Sequence, residues 1–179
     1  MPEGSPLKAR LLEWLMLALF MIGLLYLVKY APGFTDSLRM TNPRLGAWWG
    51  AHQFHIIEAA ATALGLALGM SIGRVLVASP RIRARCTLLA TILSLLVLVP
   101  LVHLCEMAAR LGWDASGEAI RGWLIERVED YERGVGLHML VIREVYVLKT
   151  VGFGLIAGLT LLAVTAGGLF VTGANRSRS

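Results

Sequence analysis

Four long apolar stretches alternate with shorter polar ones along this chain. Each is close to or above the roughly 20 residues that an α-helix needs to cross about 30 Å of hydrocarbon. Pro32 and Gly33 predict a turn inside a loop over 31–47, and Pro100 predicts a kink in the third stretch. The pattern indicates a single transmembrane domain over 1–179, with helices at 11–30, 48–77, 86–109 and 145–171.

The polar region between the third and fourth stretches has a different periodicity. Between about 118 and 133, apolar residues recur at spacings of three and four, as in Ile120, Trp123, Leu124 and Val128. This spacing is typical of an amphipathic helix on a membrane surface. The predicted fold class is therefore all-α: an integral membrane four-helix bundle with an additional amphipathic extramembrane or interfacial helix between helices three and four.

Composition and charge agree with a membrane location. The chain is 56% hydrophobic and 16% charged, and its net charge is +5. Its basic residues lie in short clusters beside apolar runs, which argues against a nucleic-acid partner. The short 78–85 segment is purely basic and is expected in the cytoplasm. With four spans, both termini are then cytoplasmic, in a protein of the cell membrane.

Two copies of one motif carry the candidate chemistry. His55 precedes Glu58, and His103 precedes Glu106, by three residues each, so each pair shares a helix face. The predicted topology places both pairs in the outer half of the bundle. Histidine with carboxylate suits iron or zinc, and histidines from two helices suit b-type haem. Such a site would serve redox chemistry or metal handling. Its hypothetical metal ligands are His55, Glu58, His103, Glu106, His52 and His138.

The same residues also fit roles that need no metal. His55 and Glu58 could form a hydrogen-bonded pair that only locks helix packing. Glu58 is expected near the membrane midplane, where a charged carboxylate costs about 2.5–3.5 kcal/mol on insertion scales. Lys149 in the fourth helix is a candidate buried partner for it. A Glu58–Lys149 pair would favour a transport or proton-path protein.

Small residues predict where helices meet. Stripes of glycine four residues apart allow membrane helices to approach closely. They predict that the second and fourth helices pack together, or that a non-catalytic subunit of a transporter or larger complex packs through them. The partners would be the bilayer together with further copies or other membrane subunits. The packing residues are Gly65, Gly69, Gly73, Gly154 and Gly158.

Overall fold

The chain is helical throughout the part that the structure, a computed structural model, describes. The description covers the backbone of 6–77, 80–127 and 131–176, and the side chains of 10–31, 33–77, 80–115, 143–170 and 172. No strand occurs within these ranges, so the all-α prediction is confirmed for them. The helices are α1 (Pro6–Thr41), α2 (Pro43–Leu76), α3 (Pro80–Leu96), α4 (Leu98–Arg127) and α5 (Tyr131–Arg176).

Three of these helices contain stretches long and apolar enough to cross a membrane. They are Arg10–Ala31, Pro43–Leu76 and Arg143–Phe170, with mean hydropathies of 2.3, 1.6 and 2.0. Pro80–Leu96 and Leu98–Ala115 are long and apolar enough only when taken together, and they are bent by 76° at the break between them. Among the described residues there are thus three candidate spans, or four if the bent pair is one span.

The third apolar stretch is not the single helix predicted over 86–109. It is interrupted at Val97, between α3 and α4. Pro100 explains the position of the break, because proline has no N–H and its ring clashes with the carbonyl four residues earlier, here that of Leu96. The helical pattern resumes at once, since the Leu101 N–H donates to the Val97 carbonyl at 2.9 Å.

The first connection is much shorter than the loop predicted over 31–47. α1 continues through Pro32 and Gly33 to Thr41, and α2 begins at Pro43. Contacts with α2 stabilise the extension, because the Thr35 hydroxyl donates to Gln53 Oε1 at 2.9 Å. Asn42 caps α2 by accepting from the Leu45 N–H, and Pro43 occupies the first turn, where its missing donor costs nothing.

The predicted amphipathic helix at 118–133 is not a separate element. Its first residues belong to the end of α4, which runs to Arg127, and its last ones belong to α5, which begins at Tyr131. Residues 128–130 lie outside the described part. No proline interrupts this region, and its one glycine, Gly122, costs only about 1 kcal/mol in a helix, so the flanking helices extend into it.

The closest helix contact joins α2 to α5. A Cβ at Gly65 would lie 2.8 Å from the Cα of Gly154, and one at Gly158 would lie 3.0 Å from the Cα of Leu66. Gly69 faces Leu155 and Gly158 in the same way. Residue numbers rise together on both sides of the contact, so α2 and α5 run parallel. These glycines are covered within the chain by the facing helix.

The remaining helices surround this pair. α1 runs antiparallel to α2, since Glu13 contacts Arg74 at one end and Thr35 contacts Gln53 at the other. α3 packs on the far half of α5, where Cys86 and Ala90 surround Leu162. The main buried core lies between α1, α2 and α5 and comprises Leu24, Val28, Ala31, Ile57, Ala61, Leu64, Val147 and Val151.

Gly65→Ala should destabilise the fold, because its methyl group would overlap the backbone of α5. Overpacking typically costs about 1–3 kcal/mol of unfolding free energy. Gly152→Ala is the matched control, since a Cβ there meets nothing within 4 Å. Equilibrium unfolding in mixed detergent micelles measures both. Equal stability of the two variants would show that α2 and α5 do not pack through Gly65.

Candidate functional site

A buried glutamate and a tyrosine form the centre of the polar cluster between the helices. The Glu58 side chain is 1% exposed. Tyr146 of α5 donates its hydroxyl to Glu58 Oε1 at 2.8 Å, and its ring packs beside Phe54 with centroids 5.7 Å apart. The other carboxyl oxygen, Oε2, is buried and has no hydrogen-bond partner among the described residues. A buried polar atom in that state costs about 1–3 kcal/mol, and more when charged.

Glu106, from the second histidine–glutamate pair, lies near the same tyrosine. The Tyr146 hydroxyl lies 3.4 Å from the backbone carbonyl oxygen of Glu106 in α4. Arg110, one turn further along α4, forms an ion pair with the Glu106 carboxylate and also interacts with Tyr146. Glu106 therefore has a charged partner, whereas the hydrogen bond to Glu58 comes from a neutral hydroxyl.

The histidines lie at the edge of this cluster. His55 Nδ1 is 3.7 Å from Glu58 Oε2, and His103 Nδ1 is 3.7 Å from Glu106 Oε2. Both imidazoles are largely exposed, at 66% and 69%. His52 stacks on Trp48, with ring centroids 5.0 Å apart, and its Nδ1 lies 2.8 Å from the Trp48 carbonyl oxygen.

The metal or haem hypothesis stays a prediction. Within the described residues, no three side chains of His, Cys, Asp or Glu lie close enough together to hold a metal ion. The two glutamates of these pairs contact a common neighbour, Tyr146, but the pairs do not meet at one point that could hold a metal. His138 lies outside the described side chains.

Lys149 does not pair with Glu58, contrary to the expectation from the sequence. Its ammonium group donates to the backbone carbonyl of Gly112 at 2.5 Å and lies 5.6 Å from the centre of the Trp113 ring. Tyr146, one turn earlier on α5, holds the Glu58 carboxyl group instead. A long, flexible lysine side chain can reach toward the polar end of its helix, which avoids placing its charge in the apolar centre.

A cavity of about 290 Å³ opens beside the glutamate, between α1, α2, α4 and α5. Most of its wall is apolar, and two of its aromatic residues, Phe54 and Trp113, come from different helices. Glu58, Tyr146, Gln53 and Arg143 supply the polar groups. An apolar cavity with a few converging polar groups is the usual form of a small-molecule site.

Sequence reasoning missed Tyr146, and it missed the interaction of Arg110 with that tyrosine. The glycine stripes contained a signal for the first of them, because a parallel contact that pairs Gly65 with Gly154 also pairs position 57 with position 146. This register places Tyr146 beside Glu58. Arg110 follows Glu106 by four residues, a spacing that surface charge matching explains equally well.

Comparisons of the chain with models of protein families, with curated proteins and with solved structures each find no match. The geometry and chemistry of the site itself therefore carry the functional assignment.

Tyr146→Phe should destabilise the protein, because it leaves both carboxyl oxygens of Glu58 without a donor. The expected loss of unfolding free energy is about 1–3 kcal/mol. Tyr26→Phe is the control, since Tyr26 is 62% exposed on α1. In a double-mutant cycle with Glu58→Leu, which removes the acceptor oxygens, the two sites should couple by about 1 kcal/mol. Additive effects would mean that the hydroxyl–carboxyl bond contributes nothing.

Proposed function

We propose that the chain is a four-span bundle in which α3 and α4 together form one broken span. The contacts of these helices with α2 support this topology. Ser94 of α3 lies beside Met70, whereas Trp113 of α4 lines the cavity with Phe54. The bent pair thus follows α2 from one end toward the other. In this topology the basic 78–85 segment lies in the cytoplasm with both termini.

Reporter fusions test this topology. Fluorescent or alkaline phosphatase reporters attached to either terminus should both report a cytoplasmic position, because four crossings return the chain to its starting side. Termini on opposite sides would make the bent pair a re-entrant element that does not cross. The matched control is a fusion after residue 40, which should report the outer side.

Within this bundle, we propose that the protein binds an amphipathic small molecule whose donor or cationic group contacts Glu58. The single observation that carries the proposal is that Glu58, a side chain that lines the cavity, has a buried oxygen, Oε2, with no hydrogen-bond partner among the described residues. Polar groups buried in a membrane protein are costly and are a sign of function. A ligand donor at Oε2 removes that cost.

The rest of the cavity indicates the remainder of the ligand. Val28, Ala31 and Ile57 provide an apolar wall, and Phe54 with Trp113 can pack against a flat or aliphatic group. A volume near 290 Å³ is at the lower end of the range for small-molecule pockets, roughly 300–1,000 Å³. Arg143 is exposed, so water screens its charge, whereas the carboxyl group of Glu58 is not screened. The site therefore favours a compact apolar amine over an acid.

Three probes that share a phenyl ring on a two-carbon chain, and differ in the polar group at its end, test the head-group preference. Phenethylamine should bind at least about tenfold more tightly than phenylacetate, because a hydrogen bond to a charged group is worth about 1.5–3 kcal/mol. Glu58→Gln should lower the amine affinity by about tenfold or more and change the affinity of neutral phenylethanol little. Isothermal titration with the protein in nanodiscs measures all three.

A cavity-filling variant provides the control. Val147→Phe places a larger side chain at a lining position and should weaken all three probes alike. It leaves Glu58 unchanged, so it separates loss of space from loss of the carboxylate. Equal affinity of the amine for wild type and Glu58→Gln would overturn the proposal. Stoichiometric iron or zinc that is lost in Glu58→Gln would instead support the metal hypothesis.

A further inference from the structure

A second polar recess lies at the opposite end of the bundle from the Glu58 cavity. It has a volume of about 160 Å³ and is formed where α1 meets the end of α2 and the start of α3. Neither the histidine–glutamate pairs nor the glycine contact extends to it. Its lining includes Arg10, Glu13, Trp14, Ser71, Arg74 and Arg83.

Positive charge exceeds negative charge in this recess. Three guanidinium groups line it together with one carboxylate, that of Glu13. Arg74 forms an ion pair with Glu13, and both side chains are about one-third exposed, at 32% and 35%. Arg10 and Arg74 alone outnumber the one carboxylate, so the described side chains of the lining carry a net positive charge. The Glu13–Arg74 pair is also accessible to a competing anion.

Arg83 is held in a fixed position at the recess. Its Nε and one terminal nitrogen donate to the backbone carbonyl of Val77, at 3.0 Å and 2.6 Å. Val77 is the C-cap of α2, where unpaired carbonyl groups would otherwise repel an anion. Arg83 thus both satisfies the end of α2 and keeps a positive charge beside Arg74.

The recess lies at the ends of two candidate membrane spans, where lipid headgroups are expected. Arg10 is the first residue of one candidate span, and Leu76, two residues after Arg74, is the last residue of another. Trp14 is 42% exposed, as is common for tryptophan at a membrane interface. Leu11 and Leu15, on the same stretch of α1, are 67% and 51% exposed, so apolar surface adjoins the arginines.

We propose that this recess binds the phosphate of an anionic phospholipid. Arg10 and Arg74 contact the phosphate, Arg83 contributes its fixed charge, and the acyl chains lie along the exposed leucines of α1. Guanidinium groups suit phosphate because they offer several donors in a planar arrangement. Glu13 competes with the lipid for Arg74, so the site binds the headgroup by exchanging one anion for another.

Two variants with opposite expected effects test the site. Arg10→Gln should lower the affinity for phosphatidylglycerol by about fivefold, the effect of one basic side chain near a membrane surface. Glu13→Gln removes the competing carboxylate and should raise that affinity by a similar factor. Native mass spectrometry of the detergent-purified protein, with phosphatidylglycerol or phosphatidylcholine of matched acyl chains, measures the affinities.

The control is Arg81→Gln, which removes an exposed arginine of α3 that does not line the recess. It should change the affinity for phosphatidylglycerol by less than about twofold. If Arg81→Gln loses as much affinity as Arg10→Gln, the binding depends on general surface charge and not on the recess, and the proposal is overturned. A decrease in Glu13→Gln without loss of thermal stability would also overturn it, as would equal binding of phosphatidylcholine.

Soluble phosphate distinguishes the source of the anion. Inorganic phosphate at millimolar concentration should not displace phosphatidylglycerol, because it lacks the contacts of the acyl chains. Displacement by inorganic phosphate would show that the recess is a site for free anions. Binding of phenethylamine at Glu58 should be the same in wild type and Arg10→Gln, so failure of either proposal leaves the other testable.

Discussion

The close contact between α2 and α5 is the constraint on which the rest of the structure depends. Gly65 and Gly69 lie against the backbone of α5, and no side chain separates the two helices there. Because the helices run parallel, the register set at Gly65 and Gly154 persists toward their N-terminal ends. About two turns earlier, it places Glu58 beside Tyr146. The polar cluster therefore exists because the glycines allow this approach.

The two glutamates that contact Tyr146 differ in burial and in the charge of their partners. Glu106 is 15% exposed and has Arg110 as an ion-pair partner, itself 60% exposed at the edge of the bundle. Glu58 is far more deeply buried, and its direct partner is the uncharged hydroxyl of Tyr146. Two identical histidine–glutamate motifs thus have different environments. Of the two glutamates, only Glu58 has a buried oxygen that lacks a donor among the described residues, and its side chain lines the cavity.

The sequence predicted those features that follow from local pattern. Apolar length identified the candidate spans, and the glycine spacing marked positions that lie in the α2–α5 contact. The break near Pro100 also follows from local chemistry, although its bend of 76° does not. The connection after α1 was predicted wrongly, because contacts of Thr35 with α2 outweigh the effect of Pro32 and Gly33.

The candidate site was harder to predict, because it depends on which helices meet and in what register. Glu58 stood out as an ionisable residue in an apolar run, but its partner could not be chosen by residue type alone. Lys149 carries the complementary charge, yet Tyr146 lies at the matching position of the parallel pair. The arginine recess was missed for the same reason, since Arg10, Arg74 and Arg83 belong to three different helices.

The two ends of the bundle thus differ in chemistry: a buried carboxyl group adjoins a mostly apolar cavity at one end, and arginines surround a recess at the other. The central claim is that the Glu58 carboxyl group binds a ligand. An infrared difference spectrum, recorded with and without phenethylamine, observes that group directly. We expect a change in a carboxyl stretching band in the wild type that is absent in Glu58→Gln. Identical difference spectra for the two proteins at saturating amine would contradict the claim.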